Sequence, residues 1–399
     1  MRGPLDGIRA VDFSRTLAGA EASAILASLG AEVIMIESPR RAPGGIGKGG
    51  LPATTVQGVD GRYNYEVRGK KSLLLDYQSP QGREVFYDLV KVTDVVINNW
   101  RPGTAEKAGL GYNTLSRVNP RVVCCEITGY GSQGPYRDRP SYDIIAAAHA
   151  GVMSFGGEPG RSPLVFGLPI VDMSTGMNAA HGVTAALYER EKTGRGQRVE
   201  ACLMDVALSL LIYFPTIYQL SGSVLPPPGR RMHQVALSGV LPTKDGHISM
   251  GIITDRHWGP FCQAVGRPQW AQDPRFATEK DRAKNKDLLW SLVEGVFQER
   301  TAREWEDALA RAGVPAAPVL TLDQVLADPH VREGDMFVTI EGAEGKPVQV
   351  LSSPIRFSAS PRPKYGPAAK PGQHTEEILT NLLAYPPDRV RQLQSEGVI

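Results

Sequence analysis

The first hundred and thirty residues alternate two hydrophobic periods, and that alternation admits few architectures. Gly7–Phe13 (GIRAVDF) reads as a short buried strand after a turn, and Ala31–Glu37 (AEVIMIE) as a second, β-branched one. Between them Gly19–Gly30 carries Ala and Leu at helical spacing and ends on a glycine suited to a helix C-terminus. The cycle repeats with a helix over Gly82–Val92, a strand over Asp94–Asn98, a short helix over Asn113–Val118 and a strand over Arg121–Ile127. Apolar strands separated by helices predict an α/β fold with a parallel sheet covered on both faces.

The chain continues well beyond this unit. Its 399 residues exceed one compact core, and at ~100–200 residues per domain they predict two or three. Ser141–Lys192 is Ala-rich and helical, interrupted at Ser154–Ser174, and another helix follows through Val206–Leu220. The segment GSVLPPPGRR then reads as a connection between lobes. These signals place the N-terminal part of a large domain at 1–205, a helical linker at 206–225 and a small domain at 226–328. In the small domain, Lys244-Asp245-Gly246 turns a hairpin and helices cover Lys286–Phe297 and Arg303–Ala312. Residues 329–399 form a linker and tail with strand-like pieces, a Pro-rich loop at Ser360–Pro371 and two short helices.

Charge and cysteine usage exclude several functions. With 44 Lys plus Arg against 42 Asp plus Glu, the net charge is +2, which argues against nucleic acid or an acidic membrane as partner. Cys124, Cys125, Cys202 and Cys262 form no C-x-x-C pair, so neither a zinc nor a redox motif is expected. Unpaired thiols fit a reducing cytosol, and the N-terminus lacks a signal-peptide apolar region. Val206–Phe214 is far shorter than the ~20 residues of a spanning helix. The expectation is a cytoplasmic protein with no metal.

Three constellations invite chemistry. The loop after the first strand, Ser14 to Ala20, resembles a dinucleotide-binding turn, but only Gly19 occupies it and G-x-G-x-x-G is absent. Glu37, at a ribose-binding position, is better read as a solvent-facing strand end. In FGLPIVDMSTG (166–176), an apolar approach delivers Asp172 to a helix start. An aspartate there is a good N-cap; it is also a rigidly aimed, partly desolvated carboxylate, and the residues alone leave both roles open. Finally, Arg15, Arg68, Lys70, Lys71, Arg101 and Lys107, with Arg137 and Arg139, lie on loops near strand ends, where a phosphorylated ligand would dock. Trp100, Tyr130 and Tyr142 offer aromatic surface to a base or fill core. The seven histidines have no metal-ligand spacing, and no G-x-S-x-G elbow or Walker loop occurs.

The ordered run of short matches resembles the class III CoA-transferases of the CaiB/BaiF superfamily, which also contains the α-methylacyl-CoA racemases. The matching residues include Asp12-Phe13-Ser14-Arg15 with Ala18-Gly19, Leu29 to Val33, and Arg68-Gly69-Lys70-Lys71-Ser72. Asn99-Trp100-Arg101-Pro102-Gly103, Gly134-Pro135-Tyr136, Arg139-Pro140-Ser141-Tyr142-Asp143, Thr193 to Gln197 and Gly372-Gln373-His374-Thr375 continue the series. The resemblance implies a Rossmann-like large domain with a smaller α+β domain, the C-terminal part returning to the large one, in an interlocked homodimer. It implies CoA exchange between an acyl-CoA donor and a carboxylic acid acceptor, short or dicarboxylic, with CoA as substrate and no tightly bound cofactor. Asp172 matches the family nucleophile: it attacks the thioester to give a mixed anhydride, the acceptor displaces the acyl group, and CoA returns. Arg15, Thr16, Ala18, Leu75, Asn99, Trp100 and Lys107 match CoA-touching positions, joined by Arg101 and Arg139 of the basic set. Tyr142 and Asp143 match residues lining the acyl site.

The pattern also departs from the family. Ser38 replaces a basic residue, whose phosphate contact either passes to Arg40 or Arg41 or is lost; Leu17 replaces a glutamine; and the Gly-rich lid is missing from Pro228–Val240. The last two differences argue against oxalate–formate exchange. A racemase needs a histidine where Tyr142 stands, and a phenol titrating at about 10 is a poor base. A non-catalytic CoA- or nucleotide-binding module is the rival from outside enzymology.

Overall fold

The computed structural model describes residues 3–14, 16–39 and 55–399. Two compact units result: 1–152, 166–217 and 332–399 make the larger, 153–165 and 218–331 the smaller.

The larger unit begins with β1 (Arg9–Asp12), α1 (Leu17–Ser28) and β2 (Glu32–Glu37). A small hairpin, β3 (Thr55–Val56) and β4 (Val59–Asp60), leads into α2 (Gly61–Val67), β5 (Lys70–Leu74) and α3 (Pro80–Lys91). Then come β6 (Val95–Asn98), α4 (Thr104–Lys107), α5 (Tyr112–Val118) and β7 (Val123–Thr128). After α6 (Asp143–His149) and the long α7 (Ile170–Thr193) follow β8 (Arg198–Cys202), α8 (Leu203–Ser209) and α9 (Phe214–Ser221).

Six strands pair in the order β5-β2-β1-β6-β7-β8, all parallel. Counted within the sheet this is the doubly wound order 3-2-1-4-5-6, with its reversal between β1 and β6. β6 and β7 are buried along their whole length, as strands covered on both faces must be. On one face Phe13, Ile34, Phe86, Leu89, Leu115 and Leu393 form a continuous core. Each such side chain is worth ~1.5–3 kcal/mol of burial. On the other, α1 lies against α7 so closely that a Cβ on Gly176 would sit 2.7 Å from the Ala18 carbonyl oxygen. That double contact explains why α1, GAEASAIL in its middle, has no polar face.

The sequence reading did not anticipate β8. Its alternation, RVEAC, exposes Arg198 and Glu200 on an edge strand, so no apolar run marks it, and Arg198 bonds Glu126 of β7 at 2.8 Å. Glu37 corrects another expectation: it is buried, and Ser72 Oγ donates to its carboxylate.

At the opposite edge, β5 is sealed by the C-terminal segment. Its amide at Ser72 donates to His374 Nδ1 (3.1 Å), His374 N donates to Ser72 O (3.0 Å), and Leu74 N donates to Thr375 Oγ1 (3.0 Å). An edge strand is thereby covered.

In the smaller unit β9 (Leu237–Pro242) and β10 (His247–Ile252) form the expected hairpin, extended by β11 (Ala316–Pro318). Helices α10 (Trp258–Ala264), α11 (Glu279–Lys284), α12 (Lys286–Phe297) and α13 (Ala302–Arg311) pack on it. Trp290 and Trp305 are fully buried, each indole N–H donating to a backbone carbonyl at 2.8 Å. Residues 153–165, inside the stretch read as large domain, cluster with this unit, where Gly229 N donates to Gly157 O. The stretch read as a helical linker holds α9 and the end of α8, bent by 71° at their break, where Ile212 adopts φ +49°. Among the described residues no single helix is long and apolar enough to cross a membrane.

After α14 (Leu322–Ala327) and α15 (Pro329–Glu333), the chain adds the hairpin β12 (Phe337–Glu341) and β13 (Pro347–Leu351). It ends in α16 (Thr375–Glu377) and α17 (Pro387–Ser395).

Candidate active site

Ligands of doubly wound sheets lie beyond the strand carboxyl ends, where the strand order reverses. The loops that leave β1, β6 and β7 converge at that place around a cavity of about 210 Å³. The β1 loop is held from beneath by a buried charge pair. Lys70 Nζ donates to Asp12 Oδ2 (3.2 Å) and to Ala20 O (2.9 Å), and Asp12 Oδ1 accepts from Ser14 N at 2.7 Å. A Cβ on Gly19 would strike Ser14 Oγ, so the space that a second glycine would leave to a phosphate is filled by Ser14. Thr16, at the N-cap position of α1 but without a side-chain cap bond, accepts a hydrogen bond from the Asn99 amide.

From β6 come Asn99, Trp100 and Arg101, all on the cavity wall. Trp100 stacks on Tyr77 with ring centroids 5.7 Å apart and meets Phe13 at 5.1 Å, so one face of the indole belongs to the core. From the β7 loop come Arg137, Arg139, Ser141 and Tyr142. Arg139 lies over the Tyr136 ring at 3.8 Å, and Tyr142 is 67% exposed. Tyr130 faces away, to His149, whose Nδ1 lies 3.2 Å from its hydroxyl.

Asp172 also lines the cavity, and of the two roles left open to it the helix cap is not the one it fills. α7 starts earlier, at Ile170 after Pro169, which holds the cap position without a side-chain bond and puts Asp172 in the third helical position. The amides at the helix start are taken by Asp143, whose Oδ2 accepts from Val171 N (2.7 Å) and Asp172 N (2.9 Å). Burial pushes the Asp172 carboxyl up to about 6, the Asp143 carboxylate and Glu66 add to the rise, and Arg62 opposes it. Arg62 and Glu66, joined at 2.6 Å on α2, escaped the sequence reading because only the tertiary fold brings α2 near residue 172.

Other expected contacts lie elsewhere. Leu75 is fully buried in the core and Ala18 in the α1–α7 contact, so neither side chain reaches the cavity. Lys107 is exposed on α4, off the cavity wall; Arg15 and Arg40 lie outside the described residues. The cysteines offer no competing nucleophile: all four are buried, and burial pushes the Cys125 and Cys262 thiols up to about 12. Among the described residues no three His, Cys, Asp or Glu gather as a metal site. The arrangement is therefore a carboxylate on the wall of a cavity that also carries three arginines, suited to a phosphorylated or carboxylate-bearing ligand.

Comparison with known proteins agrees with that chemistry. CoA-transferase family III is matched over residues 5–375. The succinyl-CoA–D-citramalate CoA-transferase of Chloroflexus aurantiacus is 33% identical over 99% of this chain and 98% of its own. The succinate–glutarate CoA-transferase of Agrobacterium fabrum is 31% identical over 95% and 96%. A crystal structure of a CAIB/BAIF family protein from Brucella suis, 32% identical, superposes with a TM-score of 0.83 over 96% of this chain and 100% of that one.

Proposed function

The chain belongs to CoA-transferase family III, and from that membership we propose that Asp172 forms the acyl-enzyme through which CoA passes from a donor thioester to an acceptor acid. A carboxylate oxygen of Asp172 attacks the thioester carbonyl, the C–S bond breaks, CoA leaves as thiolate, and a mixed anhydride remains on the protein. The acceptor carboxylate then attacks the Asp172 carbonyl of the anhydride, the donor acid leaves as its carboxylate, and the thiolate attacks the acceptor acyl carbon of the new anhydride, closing the new thioester and freeing Asp172. One thioester is lost and one formed, so the exchange needs no external energy source. The observation that carries this reading is Asp172 itself: on the cavity wall, released from capping its own helix, and with a carboxyl raised to about 6. At neutral pH it is still mainly ionised, yet more basic than an ordinary aspartate, which favours attack.

The acid exchanged is, on this reading, a short dicarboxylic one. The two relatives named above act on succinate, glutarate or citramalate by their names, and Arg137 and Arg139 line the same cavity as Asp172. A screen of acyl-CoA donors against carboxylic acids, read by mass spectrometry, identifies the pair. Asp172→Asn is expected to abolish exchange while CoA still binds, and hydroxylamine with donor acyl-CoA should leave a hydroxamate at residue 172. Exchange retained in that variant would overturn the nucleophile.

A homodimer goes with this reading. Support comes from exposed apolar side chains on and between α8 and α9, including Leu210, Ile212, Tyr213 and Leu220. Gel filtration giving a monomer at micromolar concentration would count against it.

A further inference from the structure

A carboxylate that serves as nucleophile must avoid the nearest competing donors, and for Asp172 those are the amides of its own helix. The first turn of α7 leaves its N–H groups without intrahelical acceptors. Pro169, at the cap position, has no side-chain oxygen to offer them. Were nothing else present, the carboxylate of Asp172, in the third position of that turn, would be free to turn back toward these amides. Instead one oxygen of Asp143, from the first position of α6, accepts from both Val171 N and Asp172 N.

We propose that Asp143 is the positioning residue of the active site: its carboxylate occupies the first-turn amides of α7, leaves the Asp172 carboxylate to the cavity, and places a negative charge beside it. This rests on the reading of Asp172 as the acylated residue. The charge has its own consequence, because a like charge beside a carboxyl disfavours ionisation. Asp143 is, after burial, the largest contributor to the raised Asp172 carboxyl.

The other charges around Asp172 are of both signs. Arg62 and Glu66 of α2 act on it as an opposed pair, and Arg101, Arg137 and Arg139 line the same cavity. On α1, Glu21 sits against Gly176 one turn further along α7, engaged by the Tyr65 hydroxyl at 2.9 Å. None of these touches the α7 amides in the way Asp143 does.

The test separates the two roles of Asp143. Asp143→Asn keeps an oxygen that accepts both amide bonds and removes the charge; Asp143→Ala removes both. In the wild type, kcat/KM is expected to fall on the acid side with a limb near pH 6, the value of Asp172. In Asp143→Asn that limb should move down by roughly one unit. In Asp143→Ala the limb should move likewise, and kcat should drop by roughly 10–100-fold as Asp172 turns toward its own helix, with little change in donor KM. A purely structural role would lower thermal stability and leave the limb in place. Should Asp143→Asn fold poorly, Asp143→Ser, uncharged and also an acceptor, carries the same limb test. A limb unmoved while residue 172 still yields a hydroxamate would overturn the role of Asp143 alone. Absence of the hydroxamate in the wild type would overturn the acyl-enzyme reading, and this proposal with it.

Discussion

Asp172 and its neighbours show how much of a proposed nucleophile's setting lies outside the residue itself. The residue sits 29 positions after the carboxylate that serves its helix, and the reacting end of the cavity depends equally on a residue with no side chain. Gly176, one turn along α7, faces Ala18 O and Glu21 Cβ at 2.7 and 2.8 Å from where a Cβ would stand. The first of these is backbone and cannot swing away. Gly176→Ala is therefore expected to destabilise the protein by ~1–3 kcal/mol and to reduce kcat by displacing the start of α7. Gly295→Ala, in α12 with nothing near the new Cβ, should instead stabilise by ~0.5–1 kcal/mol. Urea melts of the two variants check the pair.

The edge of the sheet has a pH dependence of its own. His374 Nδ1 accepts the Ser72 amide, so this nitrogen must carry no proton. Burial holds the His374 ring below the ordinary histidine value, with Glu377 opposing that shift and Lys71 reinforcing it. The unfolded chain then binds more protons than the folded one once pH drops below about 6.5, so stability falls as pH falls. The seal on β5 should loosen between pH 7.5 and 5.5 at a cost of about 1 kcal/mol, the worth of one hydrogen bond. His374→Ala should be less stable than wild type at pH 7.5 and lose most of the difference at pH 5.5. A constant difference in urea melts at the two pH values would contradict this. Elements of this kind also mark what a sequence can reveal. β1, β2, β6 and β7 were legible because strands buried on both faces are written as unbroken apolar runs. β8 was not, because an edge strand with charges on one side looks like a loop. Asp172 was legible as a residue at a helix start and Asp143, through the family resemblance, as one lining the acyl site; that Asp143 bonds the start of α7, and that Arg62 and Glu66 act on Asp172, arises only through the packing of α6, α2 and α7.

Across the whole molecule the tryptophans are unevenly divided. The chain has five. Trp258, Trp270, Trp290 and Trp305 are all buried in the smaller unit, whereas Trp100 is the one indole of the larger unit and lies on the active-site wall. Its stacking on Tyr77 fixes the ring, and its open face meets whatever fills the cavity. The protein thus contains its own optical gauge of occupancy. Acyl-CoA binding should change emission from Trp100 alone while four enclosed indoles supply a steady background. A titration of Trp100→Phe should therefore be flat, and stopped-flow fluorescence of the wild type would time each arrival and departure of ligand without any attached dye.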